Sequence, residues 1–322
     1  TRGWFYTLHA LGSLLKESVE EKLKEKGLYP PPTGELKGLA YKTVVSNGLV
    51  LDKAGNKMSK RLGNVIDPFE TINNFGADAT RWYLITNASP WDSLKFDVEG
   101  IKEVQRKFFG TLYNTYQFFA LYANVDGFNF TEKYIPVNER PEIDQWILSC
   151  LNSLIKTVSE NFDAYEPTQA GRAIEEFTDS LLSNWYVRLC RRRFWKGEYE
   201  LDKICAYQTL YECLETLSRL IAPVAPFFAD WMFNNLNEVT HMHHEQSVHH
   251  TLFPVVNENV IQPLLEKRMQ LAQDASSLIL SLRKKENIKV RQPLQKAFIS
   301  AMDAAMAKNI GLVANIIKTE TN

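Results

Sequence analysis

Lys57, Ser59 and Lys60 stand within four residues of one another in GNKMSKRLGN (55–64), between Gly55 and Gly63. Two ammonium groups are mobile point charges suited to phosphate oxygens. With a hydroxyl between them they could hold a triphosphate and stabilise the charge that builds on departing pyrophosphate. The same spacing also fits a solvated turn carrying ordinary surface lysines, and the four residues alone leave both readings open. A second group lies in SNWYVRLCRRRFWKG (183–197). On a helix, Arg188, Arg191, Arg192 and Trp195 fall at i, i+3, i+4 and i+7, one face. Arginine forks pair with phosphates, and an exposed indole can stack on a splayed base. The alternative is a solvated face neutralised by Glu198, Glu200 and Asp202. Leu182, Trp185, Tyr186 and Leu189 form an apolar stripe expected to pack inward, and Val187, Cys190 and Phe194 a further apolar strip. A third basic stretch, RKKENIKVRQPL (283–294), offers Arg283, Lys284, Lys285, Lys289 and Arg291 as phosphate contacts that position rather than specify.

These groups need elements to carry them. TVVSNGLVLD (43–52) is β-branched and apolar and reads as buried strands interrupted at Asn47-Gly48, so a strand delivers the lysine loop. Upstream, Leu8, Leu11, Leu14 and Leu15 recur at helical spacing, and residues 4–26 are expected to form an amphipathic helix that ends at Gly27 before the PPPTGE loop. Downstream, Asp67-Pro68-Phe69-Glu70 carries an N-cap acid, proline at the first helical position and glutamate at the third. Gly76-Ala77-Asp78 starts another helix that stops near Ser89-Pro90. From about residue 98 the chain reads as long bundle helices, at 98–125, 141–162, 167–195, 203–222 and 263–287. The fold expected is mixed: a short α/β piece followed by an all-α helical bundle, with the junction between 65 and 105.

Composition sets outer bounds. A chain of 322 residues with 45% hydrophobic and 12% aromatic side chains can bury a substantial core. Formal charge is 37 − 38 = −1, so a nucleic-acid surface has to be a local patch. Cys150, Cys190, Cys205 and Cys213 form no C-x-x-C pair, which fits a reducing, cytoplasmic setting and indicates neither a disulfide framework nor a metal knuckle. No signal peptide or membrane-spanning run is visible; LIAPVAPFFADWMF (220–233) is too short and holds two prolines and an aspartate. HMHHEQSVHH (241–250) holds five of the six histidines without hairpin or helical ligand spacing and reads as a surface connector. The chain opens inside an apolar-periodic segment without an initiator methionine, as expected for the interior of a longer protein.

K-M-S-K at 57–60, followed by R-L-G-N, resembles the signature loop of the class I aminoacyl-tRNA synthetases, with Arg61 where that family usually has serine. N-V-I-D-P and F-G-A-D-A-T-R-W-Y-L resemble the stem-contact region that follows the loop in that class. T-R-G-W-F at 1–5 is similar to a motif of the isoleucyl-tRNA synthetases, and N-W-Y-V-R-x-x-R-R-R-F-W looks like the anticodon-binding helices of the isoleucyl, valyl and leucyl group. The resemblance implies four parts: 1–64, the C-terminal part of a Rossmann-type catalytic domain; 65–105, the stem-contact region; 106–260, the anticodon-binding helices; and 261–322, a C-terminal helical segment.

It implies ATP as a substrate with Mg2+, and isoleucine and tRNA(Ile) as partners. Zinc would belong to a parent protein, since no ligand set is present here, and neither a membrane nor a protein partner is indicated. Lys60 would be tied most closely to the phosphates, supported by Lys57, Met58 and Ser59. Gly48, Leu49 and Val50 would lie near the adenine, and Trp4 would wall the amino-acid pocket. Trp185, Arg188, Arg191, Arg192 and Trp195 would face tRNA. The resemblance also expects a His-x-Gly-His motif, a string absent from this chain, so the chain alone is expected to be inactive in ATP–pyrophosphate exchange. The competing readings are a valyl or leucyl enzyme and a non-catalytic tRNA-binding module.

Overall fold

The computed structural model describes residues 3–26, 41, 43–196 and 198–322. It divides into one unit of residues 1–49 with 90–92 and another of residues 50–89 with 93–322.

In the first unit α1 (Trp4–Glu25) forms where the leucine periodicity placed it. The Tyr41 hydroxyl donates to the Phe5 carbonyl at 2.7 Å, and the Tyr41 ring meets Phe5 and His9 edge-on. Thr1, Arg2, Gly27 and the PPPTGE loop lie outside the described residues. The expectation of buried strands over 43–52 is corrected. Residues 43–49 adopt no regular pairing, and Val44, Val45 and Leu49 stand exposed. A strand needs a lateral partner for its backbone groups and a second layer for its side chains. Among the described residues, 43–49 find neither beyond one bond, Gly48 N–H to the Pro90 carbonyl at 2.7 Å.

In the second unit β1 (Val50–Leu51) pairs in parallel with β2 (Leu94–Lys95), Val50 opposite Leu94. Between them lie α2 (Pro68–Phe75) and α3 (Ala77–Asn87). The start of α2 follows its sequence: Asp67 accepts from the N–H groups of Phe69 and Glu70, and Pro68 occupies the first turn. After β2, Asp97 caps α4 (Val98–Val104). Ala79, Tyr83, Leu94, Phe96 and Ile101 make a small core here, with Met58 of the lysine loop packed against it. Tyr83 is its hub. Its hydroxyl donates to the Lys95 carbonyl at 3.1 Å and accepts from the Asp97 N–H and the Asn87 amide. Gly100 lets that ring approach, because a Cβ there would stand 2.3 Å from the ring.

The chain then turns wholly helical. A π-wound turn, Gln105–Phe109, leads into α5 (Gly110–Asp126), closed by Gly127 in the left-handed region. α6 (Glu142–Asp163) precedes α7 (Pro167–Glu176), which continues through a second π-wound stretch, Phe177–Val187, into α8 (Arg188–Trp195). α9 (Leu201–Ile221) is buried on nearly every side and runs through the centre, with Tyr207, Leu210, Leu214 and Leu217 fully buried beside Trp146 and Tyr186. α10 (Pro226–Thr240), α11 (Pro263–Lys285) and α12 (Ala304–Thr321) complete the bundle.

Two of these helices were not read from sequence. α10 begins on a proline just beyond Pro223, and α12 fully buries only Val313, Ile317 and Thr321. No helix among the described residues is long and apolar enough to cross a membrane.

The small core and the bundle are joined through α3. Trp82 Nε1 donates to Glu175 at 2.7 Å, Arg172 donates to the Thr86 and Asn87 carbonyls at its C-terminus, and Arg81 donates to the Val224 carbonyl at 2.8 Å. Asp78, at the start of α3, accepts from the Phe228 N–H at 2.6 Å, so α3 caps the first turn of α10.

Candidate functional site: a lysine loop and an arginine helix

The lysine loop is an ordered excursion from the end of β1. Asp52-Lys53-Ala54-Gly55 turns the chain, with Gly55 at φ 90°, and Leu51 then bridges back to Lys57. Asp52 accepts from the Asn56 N–H at 2.7 Å and from the Asn64 amide at 2.9 Å. These bonds, the one from Asn64 first, hold its carboxyl below the usual carboxylate range. Asn64 also accepts from the Ser59 N–H at 2.8 Å. Ser59 accepts from the Arg61 N–H at 3.2 Å, and so caps a short 3-10 turn, Lys60–Leu62, that ends at Gly63 with φ 67°. The loop is pinned to its platform by Met58, whose side chain packs on the small core, and by Lys53, which pairs with Asp97 at 2.9 Å.

Lys57 and Lys60 are exposed, and no carboxylate lies within ion-pairing distance of either among the described residues. Lys60 sits at the start of one 3-10 turn and not inside a regular helix. The arrangement holds the backbone and leaves two ammonium groups available for an anion.

Of the other residues expected at this site, Leu49 and Val50 are exposed, and Val50 opens β1. Trp4 lies at the first turn of α1 and is 74% exposed, so it is not a core residue of its own unit.

The arginine helix divides its cations. Arg188, Arg191, Arg192 and Trp195 are exposed together, as the spacing predicts, and all four lie in the α-wound part of the helix. No carboxylate pairs with Arg191 or Arg192 among the described residues; Asp202, which the alternative reading set against them, binds Arg193 instead. Arg188 pairs with Glu320 of α12, its guanidinium 5.6 Å from the Trp185 ring. Trp185 is a correction. Only 5% of it is accessible, because it belongs to the inward stripe with Leu182 and Tyr186, and it offers no face to a base.

Arg193, off the exposed face, is the anchor of this helix. Its guanidinium donates twice to Asp144 of α6, at 2.6 and 2.7 Å, and Tyr186 donates to the same fully buried carboxylate at 2.7 Å. The signal was present in the position of Arg193 off the exposed face. Its partner lies 49 residues away, beyond any local pattern.

The third basic stretch is also corrected in part. Arg283 is buried and donates to the carbonyls of Lys289 and Gln292, at 3.1 and 2.9 Å, and to that of Asn322. It ties α11 to the end of α12 and is no phosphate contact. Lys284, Lys285, Lys289 and Arg291 remain exposed.

The histidine segment is a tethered connector. Asn237 both donates to the His243 carbonyl and accepts from its N–H, while Asp230 accepts from Ser247 and Val248. Among the described residues no group of three or more His, Cys, Asp or Glu side chains has an arrangement that could hold a metal ion. The four cysteines are buried, and burial pushes the Cys190 thiol up to about 12, which leaves no thiolate for nucleophilic work there.

Comparison with known proteins falls along the same two regions. A family model described as tRNA synthetases class I (I, L, M and V) matches residues 1–97. A second, described as the anticodon-binding domain of tRNA ligase, matches residues 144–298. Over all 322 residues the chain is 55% identical to the isoleucine–tRNA ligase of Bacteroides fragilis, 55% to that of Cytophaga hutchinsonii and 52% to that of Porphyromonas gingivalis. It covers 26%, 27% and 26% of those proteins, about a quarter of their length. Among solved structures, the Agrobacterium radiobacter K84 LeuRS in a ternary complex with tRNA and LeuAMS shares the fold. The TM-score is 0.55 at 21% identity, covering 76% of this chain and 27% of that one.

Proposed function

Because the chain belongs to the class I tRNA synthetases of the I, L, M and V group, we propose that it is the part of an isoleucine–tRNA ligase that carries the phosphate-gripping loop and the anticodon-side helices. The whole ligase would join isoleucine and ATP into isoleucyl-adenylate and pyrophosphate, then pass the isoleucyl group to the 3′ end of tRNA(Ile). That supply of tRNA and ATP fits a cytoplasmic location. The isoleucine reading is favoured over valine or leucine by three relatives, each an isoleucine–tRNA ligase matched along the whole chain.

In this reading residues 1–64 close a Rossmann-type catalytic domain, 65–105 form the stem-contact region, 106–260 the anticodon-binding helices and 261–322 a C-terminal helical segment. Gly48, Leu49 and Val50 lie along the adenine. Trp4 gives a flat apolar wall to the branched side chain of isoleucine. Arg191, Arg192 and Trp195 face the tRNA, with Arg188 beside them.

The observation that carries the proposal is the pair of exposed, carboxylate-free lysines on a backbone fixed at both ends. As the α-phosphate is attacked, negative charge accumulates on the departing pyrophosphate. Lys60, at the start of its 3-10 turn, and Lys57 meet that charge with ammonium groups already in place. Mg2+ would accompany the nucleotide's own phosphates, and no group of carboxylates suited to it is found among the described residues. No covalent nucleophile is required.

The test is isoleucine-dependent ATP–pyrophosphate exchange in the whole ligase. Lys60→Ala should lower kcat about 10²–10³-fold, as loss of a charge-stabilising donor does, with tRNA affinity unchanged. Exchange at the wild-type rate would sink the assignment.

A further inference from the structure

We infer that Asn64, acting with Asp52, is the positioning residue that sets the two loop lysines, an inference that rests on the phosphate-gripping role just proposed. Both ends of its carboxamide are committed. Oδ1 accepts from the Ser59 N–H at 2.8 Å, while Nδ2 donates to Asp52 Oδ2 at 2.9 Å and, more weakly, to the Lys57 carbonyl at 3.4 Å. Asn64 therefore grips the backbone on either side of Met58 and ties it, through Asp52, to the end of β1.

Asp52 is built to receive that bond. The Asn56 N–H fixes its other oxygen at 2.7 Å, and its carboxyl is held ionised, so a full acceptor faces the Asn64 amide. Without Asn64, residues 57–60 would keep the local bonds of the 3-10 turn, but only the Leu51–Lys57 bridge and the packing of Met58 would tie them to the platform. The Lys57 and Lys60 side chains would then sample many positions relative to the phosphates, where a displacement of one ångström is costly to a preorganised site.

The chemistry of position 64 is narrow. Only a side chain with a donor and an acceptor on one planar group satisfies both partners. An aspartate there has the right shape, but it sets a second carboxylate against Asp52. An alanine leaves the Ser59 N–H and the Asp52 oxygen without their partner. Asn64 touches neither nucleotide nor amino acid in this role; it acts through the lysines.

The experiment measures ATP–pyrophosphate exchange in the whole ligase for Asn64→Ala, Asn64→Asp, the exchanged pair Asp52→Asn with Asn64→Asp, Lys60→Ala, and Lys60→Ala with Asn64→Ala. Asn64→Ala should cut kcat/KM for ATP about tenfold or more, with KM for isoleucine and tRNA affinity unchanged. Asn64→Asp should cost more. The exchanged pair should recover most of that loss, since donor and acceptor trade places at constant net charge. On the Lys60→Ala background, Asn64→Ala should cost less than about threefold, because residues that act as a unit are strongly non-additive. A side chain with only a structural role would instead show the same loss on both backgrounds and would move KM for isoleucine as well.

A Lys60→Ala enzyme with full exchange refutes the phosphate role and this inference with it. Exchange that collapses in Lys60→Ala yet stays within threefold of wild type in Asn64→Ala and Asn64→Asp overturns the inference alone. So does an exchanged pair no better than Asn64→Asp, an outcome that remains readable if Asn64→Ala fails to fold.

Discussion

The lysine loop and the arginine helix both present exposed cations, and they secure them in opposite ways. Lys57 and Lys60 ride on a loop clasped by one amide, one half-exposed carboxylate and one methionine. Arg191 and Arg192 ride on a helix riveted by Arg193 to a carboxylate with no solvent access. Three consecutive arginines thus do two jobs: two face outward, and the third binds the helix to α6. The difference is one of energetic cost. A clasp of partly solvated hydrogen bonds orients the loop backbone while adding little net stability. A buried, bidentate ion pair keeps one geometry, and breaking it strands a charge away from water.

Arg193→Ala separates the two regions most sharply. It strands Asp144 as an uncompensated buried charge and should lower the stability of the helical unit by about 3–5 kcal/mol in chemical denaturation. Arg192→Ala and Lys60→Ala should stay within about 0.5 kcal/mol of wild type. If Arg193→Ala is equally silent, the rivet is not what fixes the helix.

Gly100→Ala probes the platform under the loop. A Cβ 2.3 Å from the Tyr83 ring forces the hub aside, for about 1–3 kcal/mol of destabilisation, and should reduce exchange activity without changing tRNA affinity.

On the arginine side, Arg191→Ala with Arg192→Ala should weaken tRNA binding about tenfold at low salt. In filter binding the slope of log K against log salt should become shallower by about two. Adding Arg188→Ala should change that slope less than either single change, because Glu320 already neutralises Arg188. An unchanged slope in the double variant removes the helix from the RNA surface.

The smallest effect is expected at the joint between the regions. Burial raises the pKa of Glu175, against the Trp82 and Thr86 hydrogen bonds and the charge of Arg172. A carboxyl raised on folding binds its proton more tightly in the native state. Its contribution is therefore present below the ordinary glutamate range and is lost as pH rises through the native value. Glu175→Gln keeps the acceptor for Trp82 and removes the buried charge. Its unfolding midpoint should match wild type at acid pH and move above it towards neutrality.

How far these features could be read from sequence depended on how local their causes are. The start of α2 was legible because Asp67, Pro68 and Glu70 act within one turn. The exposed face of Arg188, Arg191, Arg192 and Trp195 was legible because four helical residues share a face whatever surrounds them. Trp185 and Arg283 were misjudged for the opposite reason: residue type says that an indole or a guanidinium can meet RNA, while burial decides whether it does. The strands expected at 43–49 failed similarly, since β-branched composition cannot supply a partner strand.

By itself the sequence determined the helical periods, the caps, the glycine-bracketed lysine pair and the family, because each depends on neighbours a few residues away or on motifs read as strings. Only the tertiary structure decided that Asn64 closes the loop on Asp52 across 12 residues, and that Arg193 turns inward to Asp144 across 49. Which of several like-charged side chains becomes an anchor depends on where the folded chain sets a buried acceptor, and only long-range packing fixes that position.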